Sequence, residues 1–121
     1  MIPESKSFNI IHENCLCSAE LSIIYDTNII SDAIKRVPDS TEIWYYFNRL
    51  IVPMKVRNKK LSSQLLRQVA EWSDQEKFNI FLEINPYGNL NLKHLIQLYG
   101  KFGFKFLRQN LMTREHKNET T

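Results

Sequence analysis

Glycine is scarce in this chain, at 3 of 121 residues, and none of the three lies in the basic segment where one would matter most. Cysteine is scarcer still. Cys15 and Cys17 are the only two, and at a spacing of two they share one face of a strand, a poor geometry for a mutual disulfide. They read as small packed hydrophobes. His12, His94 and His116 are scattered, and without a Cys/His cluster at zinc spacing no metal site is expected. No apolar run approaches the roughly 18 residues that cross a bilayer. The opening stretch MIPESKSF has neither an apolar core nor a small-residue cleavage site, so a cytoplasmic location is the expectation.

What is present is the composition of a globular domain, 43% hydrophobic and 24% charged. One domain over residues 1–121 is expected, burying roughly two-thirds of its unfolded surface. The net charge of +3 suits an anionic ligand. It falls short of the dense basic patch of a dedicated nucleic-acid binder, and no base-reading motif accompanies it.

Periodicity supplies the elements. Cys15, Cys17, Ala19, Leu21, Ile23 and Tyr25 alternate as one face of a half-buried strand, after a shorter strand over Phe8 to Glu13. Asn28 to Pro38 is ambiguous, with room for one helical turn capped by Ser31 or Asp32. Thr41 to Val52, TEIWYYFNRLIV, is apolar on both faces and predicts a long central strand. Leu61, Leu65, Val69 and Trp72 then mark a helix ending near Lys77. NIFLEIN is the next strand, closed by the turn NPYGN, with Asn85 and Asn89 capping the turn and the following helix. Leu92, Leu95, Ile96, Tyr99 and Phe102 mark that second helix, and Gly103 sits where a C-terminal glycine belongs. Phe104 to Leu107 and Leu111 to Arg114 read as closing strands around the turn Arg108-Gln109-Asn110. Residues 115–121 read as a frayed tail. The class is α/β (α+β), with a helix on each sheet face.

Between the central strand and the first long helix stands MKVRNKKLSSQLL. A helix N-terminus leaves about four N–H groups unpaired and carries roughly half a positive charge. An anion bound there gains charge-assisted bonds on the order of 1.5–3 kcal/mol each, and Arg57, Lys59 and Lys60 add positive charge. The competing reading is a solvated basic loop without a ligand.

LIVPMKVRNKKLSSQLLRQVAEWS, then FLEINPYG, then LIQLYGKFGF, in that order and spacing, resemble the GNAT superfamily of N-acetyltransferases over about Thr41 to Arg114. Tyr99 followed by Gly103-Phe104 is the most specific part. Residues 1–40 show no such match and look abbreviated. The resemblance implies a GNAT-like mixed, twisted sheet with splayed central parallel strands and helices on both faces. Acetyl-CoA would lie in the gap, its pantetheine arm bonded to backbone at Leu50, Ile51 and Val52. Its pyrophosphate would sit on the loop and helix start formed by Arg57, Asn58, Lys59, Lys60, Leu61, Ser62 and Ser63. The superfamily pattern there is Arg or Gln, two residues, Gly, one residue, then Gly or Ala. Arg57 fits, but Lys60 and Ser62 replace the small residues. A left-handed side chain costs roughly 1–2 kcal/mol against about 8 kcal/mol for micromolar binding, so the cradle is altered rather than absent.

The implied reaction is acetyl transfer to a primary amine of a small molecule or a protein. Tyr99 stands where relatives often donate a proton to the departing thiolate, and a phenol with a pKa near 10 can do so. A backbone N–H near Leu50 or Ile51 would meet the oxyanion. Some relatives carry a carboxylate on the central strand where this chain has Tyr46. Glu42 and Glu83 remain, with Glu83 the candidate base. Trp44, Tyr45, Tyr46 and Phe47 are either core or the wall of an acceptor pocket. The alternative function is a GNAT-fold binding module that grips a protein partner with weak or no catalysis. Relatives often dimerise, yet no patch in this sequence marks a homodimer interface.

Overall fold

A computed structural model describes residues 2–57, 60–85 and 91–117. In chain order the elements are β1 (Ser5–His12), β2 (Cys15–Ile23), α1 (Asn28–Ile34), β3 (Trp44–Ile51), α2 (Leu61–Glu76), β4 (Asn79–Glu83), α3 (Leu92–Gly100), β5 (Lys105–Arg108) and β6 (Leu111–Arg114). A single 3₁₀ turn, Met54–Val56, follows β3. The strands form one sheet in the order β1-β2-β3-β4-β6-β5. Among the described residues only β3 and β4 run parallel, because α2 carries the chain back across the sheet between them.

Alternation along the strands sorts side chains onto two faces. Tyr45, Phe47, Ile80 and Leu82 join Cys17, Ala19 and Leu21 in a core closed by Leu65, Leu66 and Val69 of α2 and by Leu95 and Tyr99 of α3. Trp44 and Phe81 point the other way and close on Ile30 and Ala33 of α1. The expected mixed sheet with helices on both faces is therefore present, α2 and α3 on one side and α1 on the other. Burial, helped by Cys15, pushes the Cys17 thiol up, which fits a packing residue rather than a reactive one.

Several expectations need correction. β2 ends at Ile23, and Tyr25 is 75% exposed instead of continuing the buried stripe. The ambiguous segment forms α1 with Thr27 at its N-cap, not Ser31 or Asp32. The helix after β4 is capped by Asn91, whose side chain accepts from the His94 N–H at 2.8 Å. Asn89 lies outside the described residues. The start of the tail is tied down: the His116 N–H reaches Asn79 Oδ1 at 2.9 Å, and the Lys117 N–H reaches Asp74 Oδ1 at 2.8 Å.

Arg114, only 3% exposed, joins three elements. Its Nη1 and Nη2 donate to the two Asp74 oxygens of α2 at 2.7 and 3.0 Å. Its Nε donates to the Phe102 carbonyl at 2.6 Å, just past α3. Gly103 turns there at φ +91°, and a Cβ on it would meet Arg114 Nε at 3.2 Å. The positive φ favours glycine, and any side chain there would press on the clamped Arg114 guanidinium. The clamp thus fixes the end of the helix that carries Tyr99. Arg114→Met should lower stability by about 3 kcal/mol, since Asp74 would lose its buried partner. Urea unfolding is the check, and a loss under about 1 kcal/mol would contradict this role.

Candidate functional site

The parallel pairing of β3 with β4 is short. It comprises Trp44↔Asn79, Tyr45↔Ile80 and Tyr46↔Phe81. Beyond it each strand keeps its outer neighbour: β3 stays with β2 through Ser18↔Ile51, and β4 stays with β6 through Glu83↔Leu111. The two central strands therefore part, and a cavity of about 700 Å³ opens between them.

A β-bulge accompanies the parting. Leu21 pairs with Phe47 and the adjacent Glu20 with Arg49, leaving Asn48 as an extra residue on β3. A bulge bends its strand and reverses which side chains face inward. The inward positions on β3 change from Tyr45 and Phe47 to Leu50 and Val52. Asn48 is anchored as it turns, its Oδ1 accepting from Ser22 Oγ at 3.1 Å. The expectation of a strand buried on both faces to Val52 fails here. Asn48, Arg49 and Ile51 are exposed, while α1 packs at the Trp44 and Phe81 end of the sheet.

The basic loop closes one end of this cavity. Arg57 Nε donates to the Val52 carbonyl at 3.1 Å, tying the loop to the end of β3. Lys60 is the N-cap of α2 at φ 59°, ψ 23°, a left-handed conformation. Leu61, 3% exposed, anchors the first turn in the core. Arg57, Lys60, Leu61 and Ser62 line the cavity together with Leu50, Ile51 and Val52. Ser63 follows in the first turn of α2 without lining it. Asn58 and Lys59 lie outside the described residues.

Tyr99 and Glu83 also line the cavity. Tyr99 is 7% exposed, its ring set edge-on between Phe47 and Phe104 at 6.0 and 5.5 Å. Glu83 sits on the α1 side of β4 with Phe81, yet it borders the cavity on the α2 and α3 side, because no strand separates the faces beyond Tyr46↔Phe81. It also lines a second cavity of about 420 Å³ under α1, with Tyr46 and Phe81. Burial, and then the Glu83 carboxylate, push the Tyr46 hydroxyl above its ordinary value.

No family model matches the sequence, and no curated protein is a significant match. Solved structures do match. The anti-CRISPR protein AcrVA5 superposes with a TM-score of 0.61 at 16% identity, over 92% of this chain and 98% of its own. Arabidopsis thaliana NAA60, solved in complex with a bisubstrate analogue, superposes with a TM-score of 0.58 at 16% identity. That match covers 80% of this chain and 60% of NAA60. The fold is GNAT-like. At this identity the likeness carries the fold alone.

Within the GNAT-like frame the two carboxylates separate cleanly. Glu42 lies before β3, and Arg36 donates to both of its oxygens at 2.8 Å. The Asp39 N–H and Asn79 Nδ2 add further bonds. Arg36 first, against burial and with the Asp39 N–H, pulls the Glu42 carboxyl down to about 2. So acidic a group is a poor proton acceptor, and Glu42 is structural. Trp44, Tyr45 and Phe47 are core residues; Tyr46 alone of the aromatic run reaches the second cavity.

Lys60 takes the left-handed backbone that glycine favours. Lys60→Gly should therefore leave stability unchanged or raise it by up to about 1 kcal/mol. Lys60→Val should lower it by about 1–2 kcal/mol, since a β-branched residue resists that conformation. Equal denaturation midpoints for the two variants would contradict the left-handed cap.

Proposed function

We propose that this protein is an acetyl-CoA-dependent N-acetyltransferase acting on a primary amine. One observation carries the reading: a single cavity joins an unpaired strand edge, a basic helix start, Tyr99 and Glu83. The main chain of Leu50, Ile51 and Val52 would hold the pantetheine arm as a neighbouring strand would. Arg57, Lys60, Leu61 and Ser62 would hold the pyrophosphate, with the N–H of Ser63 at the helix start and with Asn58 and Lys59 completing the loop. The left-handed turn at Lys60 supports this fit, since it aims successive N–H groups toward one point. The Lys60 charge offsets part of the conformational cost.

Acetyl-CoA supplies a thioester whose acyl carbon takes the amine nitrogen as the C–S bond breaks. Glu83 accepts the proton leaving the amine, directly or through a water, and the Tyr99 hydroxyl gives one to the departing sulfur. A backbone N–H near Leu50 or Ile51 stabilises the acyl oxygen. Glu83 then holds one proton more and Tyr99 one fewer, and exchange with water restores both. A phenol, with an ordinary pKa near 10, carries at neutral pH the proton that a donor must give.

Tyr99→Phe should lower kcat on the order of 10²-fold with acetyl-CoA affinity nearly unchanged. Glu83→Gln should lower it by a similar order and shift the rate toward higher pH, where free amine is more abundant. Thiol release with an amine acceptor, beside calorimetry with acetyl-CoA, measures both. Wild-type rates in the two variants would overturn the assignment. Tight binding of acetyl-CoA without product from any amine would favour a binding module instead.

A further inference from the structure

The second cavity has a lining unlike the first. Ile23, Ile24 and Ile29 give it an aliphatic wall, and Tyr25, Tyr46 and Phe81 an aromatic one. The charged groups among its lining residues are Asp26 and Glu83, both carboxylates. The first cavity carries the opposite sign at Arg49, Arg57 and Lys60. Glu83 is the residue common to both linings, so whatever occupies the second cavity meets the first at this carboxylate.

We infer that the second cavity holds the acceptor, and that the acceptor is a small primary amine on an apolar, aromatic body. The inference rests on the acetyl-transfer reading and adds the chemistry of the substrate. An ammonium group is drawn to the two carboxylates and is favoured over the faces of Tyr25, Tyr46 and Phe81. The aliphatic wall rewards burial of a carbon skeleton at about 25 cal/mol per Å². A volume of about 420 Å³ lies in the range of small-molecule sites.

Two alternatives fit less well. A polyamine carries more ammonium groups than the two carboxylates among the described lining residues, Asp26 and Glu83, can pair, and the surplus would lie against Ile23, Ile24 and Ile29. An extended peptide binds by adding main-chain hydrogen bonds at a free edge. Here the Ile23 N–H already donates to the Glu4 carbonyl at 2.8 Å, and the Ile24 N–H to the Trp44 carbonyl at 2.9 Å.

The test compares three acceptors on the full chain: phenethylamine, spermidine, and an acetyl-acceptor tripeptide with a free apolar N-terminus. Binding is followed by NMR shift changes without acetyl-CoA, and turnover by product mass with it. Ile29→Lys is the informative variant, because Ile29 is 63% exposed and its replacement leaves the core intact. Phenethylamine should be preferred by about tenfold or more in kcat/KM, and Ile29→Lys should weaken its binding by about tenfold through charge repulsion. Acetyl-CoA affinity should not move in that variant. Preference for spermidine or the peptide, or equal use of all three, overturns the acceptor class while leaving acetyl transfer standing. Phenethylamine binding that Ile29→Lys weakens, with no acetyl-CoA binding, supports the cavity and overturns the donor reading instead.

Discussion

Parallel strands that stop pairing after three residues leave two backbones facing each other with nothing between them. In water those N–H and C=O groups stay solvated at little cost, but they cannot be buried without a partner. The rest of the molecule is arranged around this gap. β2 and β6 hold β3 and β4 from outside, the Asn48 bulge turns β3 away, and α2 and α3 wall the space from one face. The gap is a stable feature of the fold because both strands are secured on the side away from it.

The gap also explains why one carboxylate can serve two cavities. A continuous sheet keeps its faces apart, so a residue on the α1 side of β4 could not meet a ligand on the α2 side. Past Tyr46↔Phe81 that separation ends, and Glu83, two residues beyond Phe81, stands where the faces communicate. Glu42 is chemically the same side chain, but it is bound by Arg36 in a four-residue network and is acidified to about 2. Environment, not residue type, sets the two carboxylates apart. Tyr99 gains its place in a similar way, through the Arg114 clamp and the Gly103 turn that end its helix.

Much of this was legible in the residues. The alternating stripe of β2, the helical stripe of α2 and the Tyr99 to Phe104 ending each placed their elements within a few residues. The first two are strong periodic signals. The buried reading of Thr41 to Val52 failed because composition reports how apolar a segment is, not whether a neighbour covers it. The polar pair Asn48-Arg49 inside that run was the available hint of a bulge. Thr27 and Asn91 were missed as caps since several polar residues compete at each helix start, and the winner is set by backbone geometry. Of the second cavity only Tyr46 and Glu83 were legible in the sequence, because its lining gathers three separate strands, α1 and the segment between β2 and α1.

Amide hydrogen exchange over Asn48 to Val52, with and without acetyl-CoA, tests most directly whether the free edge of β3 is the donor's binding edge. The account predicts exchange faster than in the doubly paired Trp44 to Tyr46 when the protein is alone, and marked slowing when acetyl-CoA is added. Unchanged exchange at Asn48 to Val52 in the presence of saturating acetyl-CoA would contradict it.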